Sequence, residues 1–432
     1  MHTIRMITFR LRSLLRNYAY LERPIKLYAV EGILIAFVVN LIVNNNNLYA
    51  SRLGANDFQL GLVNLLPQLV NMLVLLPGAL LTDSLKTKRM MVILSISLTG
   101  ILYVAIGFAP IFRLRLAAFI WLLALSSGTM IIYNLSWQSF FPDVIPIEKR
   151  NNTLTIKTSI AMFISIITPL ISGGILTRLS TNELKIIAHQ CFFFIGAILI
   201  AFQVNVLKRM SSVSAPETAS GGFKELKEAC VNLMRNKAFV FFASVAWFFY
   251  LTWHIDWTVY FIGQVQYLKL NEMQLGIVIA AGTLAQFLTL RFWSRMNERK
   301  GVVYTLTFGL FGLALVPISM ITATLLPASV NKPLFVLFHV IANLASATIQ
   351  LNPFQCLLEV LDDKYITISI SLFTVLTCFS NAVMPFTGVI IYRAFGGDLK
   401  ALHNMLWLVF ALRILAGFLW LFRWRRITRM KK

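Results

Sequence analysis

The sequence predicts an all-α membrane protein of twelve transmembrane helices, arranged as two pseudo-symmetric six-helix bundles. Three observations predict it: an apolar composition without matching charge, twelve apolar segments of membrane-spanning length, and basic residues gathered in alternate loops. Of 432 residues, 58% are hydrophobic and only 13% are charged. Soluble domains carry about 25% charged residues. Surface-to-volume scaling leaves a chain of this length no way to hide so much apolar mass from water. The medium around much of the chain is therefore itself apolar.

The formal net charge is +22. In a soluble chain that would suggest a nucleic-acid partner. Here the basic residues fall at the edges of apolar segments, which is the signature of membrane topology, so membrane lipids are the expected partners and nucleic acid is not. The four cysteines, Cys191, Cys230, Cys356 and Cys378, form no CxxC pair and have no metal spacing. They read as thiols among packed helices, with no disulfide framework and no metal.

A bilayer core takes about 20 mainly apolar residues per helix. Windows meeting this run over 28–49, 58–81, 90–110, 116–136, 154–176 and 188–207, then over 238–261, 273–293, 302–325, 334–353, 367–391 and 404–422. The count is six, a pause, and six. The implied organisation is an N-terminal bundle over 1–207, a linker over 208–237 and a C-terminal bundle over 238–432. Six basic residues precede the first window, as in a signal peptide, but its length and the eleven spans after it make it a retained helix. Ile4, Ile7, Leu11, Leu14 and Tyr18, opposed by Arg5, Arg12 and Arg16, give the N-terminal segment an amphipathic face. In the linker, Phe223, Leu226, Cys230 and Leu233 give the same pattern after a Ser/Ala/Gly-rich stretch.

With the N-terminus inside, 29 of the 39 Lys and Arg residues fall on the inner side and nine on the outer, Arg413 remaining within the last span. This predicts a plasma-membrane protein with both termini cytoplasmic. The halves also echo one another. Pro169-Leu-Ile-Ser-Gly173 in span five returns as Pro385-Phe-Thr-Gly388 in span eleven, 216 residues later. The basic loop between spans two and three returns between spans eight and nine as Arg295-Met-Asn-Glu-Arg-Lys300. Such parallel repeats place a pathway between two halves.

At these residues the chain resembles the major facilitator superfamily, over nearly its whole length. Ala79-Leu-Leu-Thr-Asp83-Ser-Leu-Lys86-Thr-Lys88-Arg89 resembles that family's loop signature between spans two and three, with Lys86 where the family usually has Gly. The resemblance implies a gating role for Asp83, Lys88 and Arg89. Thr168-Pro169-Leu-Ile-Ser172-Gly173-Gly174 resembles the Gly-Pro…Gly-Gly element of exporting members, with Thr168 and Ser172 in place of two glycines. Pro169, Gly173, Gly174, Pro385 and Gly388 are accordingly candidates for helix packing or hinge roles. Span four lacks the intramembrane Arg that many proton-coupled members have.

Ionisable groups within spans are costly and hence functional candidates. They are Glu31 in span one, His254 and Asp256 in span seven, Lys157 in span five and Arg413 in span twelve. Glu31, Asp256 and Arg413 are candidates for proton or ion coupling, and Arg413 is a candidate partner for either carboxylate. Asn and Gln recur through the spans, and Trp253 and Trp257 suit either an interfacial belt or a stacking surface. Since spans one, four, seven and ten line the cavity in proteins this chain resembles, Asn40, Asn134, Trp137, Gln138, Trp253, His254, Trp257 and Asn352 are the candidate cavity residues.

Phosphate loops, HExxH and nucleophile elbows are absent from the sequence, and its five histidines are dispersed. The expectation is therefore neither an enzyme nor an ATP-driven pump. It is a monomeric secondary transporter, without cofactor, moving a small solute by alternating access. Proton-coupled export of amphipathic molecules is the leading expectation. Uptake or exchange of a polar metabolite, such as a sugar or amino-acid-like solute, is the alternative. A membrane scaffold or membrane enzyme is the alternative of a different class.

Overall fold

The computed structural model describes residues 22–84, 88–145, 147–210, 230–360 and 366–430. The amphipathic N-terminal segment, most of the linker and the loop at 85–87, with the contacts expected of Asp83, lie outside the described residues. Among these residues there is no strand, and twelve helices are long and apolar enough to cross a membrane. We number them α1 (Arg23–Arg52), α2 (Asp57–Ser84), α3 (Lys88–Gly107), α4 (Arg115–Val144), α5 (Ile147–Arg178) and α6 (Asn182–Lys208). The second set is α7 (Lys237–Tyr267), α8 (Glu272–Lys300), α9 (Val302–Leu325), α10 (Asn331–Leu358), α11 (Ile366–Ala394) and α12 (Leu399–Met430).

Helix ends are fixed by residues suited to the task. Asn236 caps α7 by accepting from Ala238 and Phe239, and Thr181 caps α6 by accepting from Leu184. At α8, Asn271 and Gln274 form a reciprocal capping box. The first six helices pack chiefly among themselves, as do the last six, and the two sets meet along α5 against α8 and α2 against α11. The molecule has two ends, one carrying the linker and the other carrying the turns 53–56, 179–181, 268–271 and 395–398.

The helices of the second set are repeatedly interrupted. α7 breaks at Ile255–Asp256 and widens to a π turn over Gly263–Tyr267; α9 breaks at Ala314 and α10 at residues 344–346. Backbone freed at such breaks must find partners within the protein. The Leu344 carbonyl accepts from Trp293 Nε1 at 2.7 Å and Thr289 Oγ1 at 2.9 Å, both on α8. In the first set only α1 is interrupted, by a 3-10 turn over Val43–Asn45 that begins the four-asparagine run 44–47.

Candidate functional site

At the end opposite the linker, side chains of the two sets lock together. Glu272, at the start of α8, accepts from Lys185 of α6 at 2.6 Å and is ion-paired with Arg52 of α1. Across the α2–α11 seam, Asp57 accepts from Gln266 at 2.8 Å and from Arg393 at 3.3 Å. Close backbone contact tightens the α5–α8 seam. A Cβ on Gly173 would lie 2.5 Å from the Glu272 carbonyl, and one on Gly276 would lie 2.3 Å from the Pro169 carbonyl. The Thr177 hydroxyl also accepts from the Met273 N–H at 2.8 Å. Small residues let membrane helices meet this closely.

Beneath this closure lies a cavity of about 210 Å³ between α1, α2, α4, α7 and α11. Its polar wall is mostly amide and hydroxyl: Asn46, Asn47, Asn64, Gln68, Ser126, Ser127 and Asn381. Trp257 and Met130 supply apolar surface. Asn64 donates to Thr258 Oγ1 at 3.0 Å, bridging the sets, and Ser127 donates to Asn71 Oδ1 at 2.9 Å. Asn134 and Gln138 are exposed and continue the Ser127–Met130 face of α4 toward the linker end, at helical spacing. No Asp, Glu, Lys or Arg is among the cavity-lining residues.

The in-span charges singled out in the sequence form two buried nodes, none of whose charged groups lines the cavity. In the first set Glu31 is fully buried and accepts from Lys157 at 3.1 Å and from Gln203 at 3.0 Å, with Tyr133 as its third donor. In the second set Arg413 pairs with Asp256 at 2.6 Å, both side chains 3% exposed. Arg413 also donates to the carbonyls of Trp253 at 3.1 Å, Leu313 at 3.3 Å and Thr252 at 3.4 Å. These carbonyls lie at the breaks of α7 and α9. The α7 break is also where a Cβ on Gly388 would fall 1.8 Å from the Ile255 carbonyl, so α11 can approach only without a side chain there.

The residues singled out in the sequence thus separate. Trp257 lines the cavity, and Asn134 and Gln138 share its face. His254 is buried, bonded to Ser380 Oγ at 2.9 Å, stacked on Tyr250 and Trp253 and edge-to-face with Trp257. Asn40 donates to the Ala36 carbonyl of its own helix at 2.8 Å. Trp137 is buried against Tyr28 and Phe140. Asn352 is fully buried and exchanges amide bonds with Asn297 at 2.8 and 3.1 Å. Arg89 donates to the Met210 carbonyl at 2.8 Å, tying the start of α3 to the end of α6. A Cβ on Gly174 would meet Met273 Sδ at 3.7 Å across the α5–α8 seam, and Pro385 lies inside α11 beside Phe386, which packs on Phe58 of α2. Sequence reasoning missed Asn64, Asn381 and Glu272. Of the four-asparagine run 44–47 it drew only on Asn44, although such a run is costly in an apolar span unless it faces water or a solute.

Residues 29–385 match the profile of the Major Facilitator Superfamily. No curated protein matches the sequence. Among solved structures, the chain resembles the nucleoside transporter NupG (D323A mutant) with a TM-score of 0.73 at 10% identity, over 93% of this chain and 99% of that one. It resembles a D-xylose–proton symporter with a TM-score of 0.73 at 12% identity, over 92% and 96%. It resembles an auto-inhibited POT family peptide transporter with a TM-score of 0.73 at 13% identity, over 94% and 97%. At these identities the likeness speaks for the fold, and the family rests on the matched sequence: the chain belongs to the Major Facilitator Superfamily and is a multi-pass membrane transporter of the secondary kind.

Proposed function

We propose that this transporter carries a small, polar, uncharged solute rich in hydroxyl groups, binding it in the amide-lined cavity between the two sets of helices. The observation that carries this reading is the wall of Asn46, Asn47, Asn64, Gln68 and Asn381 around a space of about 210 Å³. Amides donate and accept at once, as hydroxyl-rich solutes require. The Asn and Gln side chains in this wall favour a polar metabolite over the amphipathic export substrates suggested by the Pro169–Gly174 element. Two similar structures are those of a nucleoside transporter and a D-xylose–proton symporter, carriers of solutes with this chemistry. With the linker end taken as cytoplasmic, on the distribution of basic residues, this arrangement is the inward-facing one, and the Glu272 and Asp57 contacts form its outer closure.

Flux into proteoliposomes tests the reading. The expected result is saturable entry of a pentose, hexose or nucleoside, reduced about tenfold or more by Asn64→Leu, the effect of about 1.4 kcal/mol of lost binding. Carriage of only a lipophilic cation such as tetraphenylphosphonium would overturn it. A pH gradient across the same vesicles reads the drive. Loss of uphill accumulation in Glu31→Gln or Asp256→Asn would identify the coupling carboxylate.

A further inference from the structure

The node around Glu31 is built differently from an ordinary ion pair. A carboxylate with no solvent exposure needs compensation from every side. Tyr133 and Gln203, from α4 and α6, hold Oε1 from below, and Gln203 also donates to the Tyr133 hydroxyl at 2.8 Å. Both are uncharged and both are buried. Lys157 supplies positive charge, its ammonium standing 3.1 Å from Oε2. That ammonium also lies 4.6 Å from the centroid of the Tyr28 ring and 5.6 Å from that of Trp137. Cation–π attraction acts within about 6 Å of an aromatic face. The ammonium therefore occupies a cage of one carboxylate and two aromatic rings, the composition by which proteins recognise amine and quaternary ammonium ligands.

The cage and its occupant differ in exposure. Tyr28, Trp137, Tyr133, Gln203 and Glu31 are all at most 5% exposed, whereas the Lys157 side chain is 22% exposed on a flexible four-carbon stem. The stem lies over Gly32, where a Cβ would stand 2.8 Å from Lys157 Cγ, so the groove that admits it exists because residue 32 has no side chain. Gln203 Oε1, on the amide whose Nε2 bonds Glu31, is buried without a donor among the described residues.

We propose that the Glu31–Tyr28–Trp137 cage is a binding site for organic ammonium ligands, and that Lys157 is a tethered occupant which withdraws when such a ligand enters. One ammonium replaces another beside the same carboxylate, so the exchange leaves no buried charge unpaired. The site is separate from the amide-lined cavity and does not depend on what that cavity carries.

Thermal unfolding of the purified full chain tests it. Lys157→Ala empties the cage of its own ammonium. Methylammonium, compared with sodium at equal ionic strength, is expected to restore about half or more of the lost stability, as mass action requires of a ligand binding only the folded state. The same salt is expected to do nothing for the Glu31→Gln/Lys157→Ala double variant. A folded Lys157→Ala protein indifferent to methylammonium would overturn the proposal. If that variant does not fold, acylation of Lys157 in the unaltered protein decides, read by peptide mapping. Tetramethylammonium is expected to raise its rate about threefold or more over sodium by shifting Lys157 out of the cage. An unchanged Lys157 rate would overturn the proposal equally.

Discussion

The two buried charge nodes use the same chemistry to opposite ends. In the second set, Arg413 is surrounded: one carboxylate and three backbone carbonyls take up its donors, and neither partner is more than 3% exposed. The carbonyls belong to helices that break at Ile255–Asp256 and Ala314. A guanidinium offers five donors in a rigid fork, so one side chain from α12 closes two breaks at once. In the first set, Glu31 is the fixed partner and Lys157 the partly exposed one, meeting an unbroken stretch of α1. The lesson is that charge inside a membrane protein is either sealed, where it supports irregular backbone, or addressable, where one partner can leave. Geometry and exposure separate the two; charge alone does not.

The sharpest way to break this comparison is to remove each cation in turn. Arg413→Ala leaves Asp256 buried beside orphaned carbonyls, and removing one partner of a sealed pair costs about 3–5 kcal/mol. The expected outcome is loss of folded protein, or a large fall in unfolding temperature in detergent. Lys157→Ala leaves Glu31 with two neutral donors and vacates a position that is already 22% exposed, so it should cost less, about 1–3 kcal/mol. Equal losses for the two variants would dissolve the distinction.

How much of this was legible beforehand differs by level. The fold was legible, because span length, hydropathy and charge alternation are one-dimensional signals that bilayer thickness imposes directly. The sequence also marked each ionisable group inside a span, and Asp256 stood among the partners weighed for Arg413. It did not join Lys157 to Glu31, nor supply Tyr133 and Gln203. Those contacts join residues 70 to 172 positions apart. Predicting them requires the rotation of each helix about its axis, and a helix that is apolar all round carries little record of which side faces its neighbours. For the same reason Asn352 could be placed on a span but not on a face. Glu272 falls one residue before the 273–293 window, and only the assembled bundle brings Arg52 and Lys185 to it.

Glu272 sharpens the comparison, because its charges join the two sets of helices. Its side chain is 3% exposed, yet Lys185 is 15% and Arg52 32% exposed, so its partners are addressable. Glu272→Gln removes both ion pairs while keeping the shape. Spin labels at Ser180 and Ala328, exposed in turns of opposite sets at the closed end, report the separation. The expected outcome is a longer-distance population enriched about tenfold, the consequence of roughly 1.4 kcal/mol withdrawn from one state. A single unchanged distance would make Glu272 a sealed group like Asp256, and would leave the α5–α8 backbone contacts as the closure.

The smallest expected effect concerns neutral groups, and it asks whether the division between sealed and addressable extends to amides. Asn297 and Asn352 satisfy one another across α8 and α10, with Asn352 fully buried, whereas Asn64 faces the cavity. Hydrogen bonds between membrane helices contribute only about 0.6 kcal/mol on average, since the unfolded chain in lipid also finds partners. A double-mutant cycle through Asn297→Ala and Asn352→Ala should therefore give a coupling near that value in unfolding stability. Saturable flux of the transported solute should keep its KM in both single variants, because neither amide lines the cavity. Asn64→Ala should show the reverse: little change in stability and a raised KM. A raised KM on losing Asn352 would move it from helix packing to the solute path, and exposure in one arrangement of the helices would then be a poor guide to which polar groups a solute meets as the two sets rearrange.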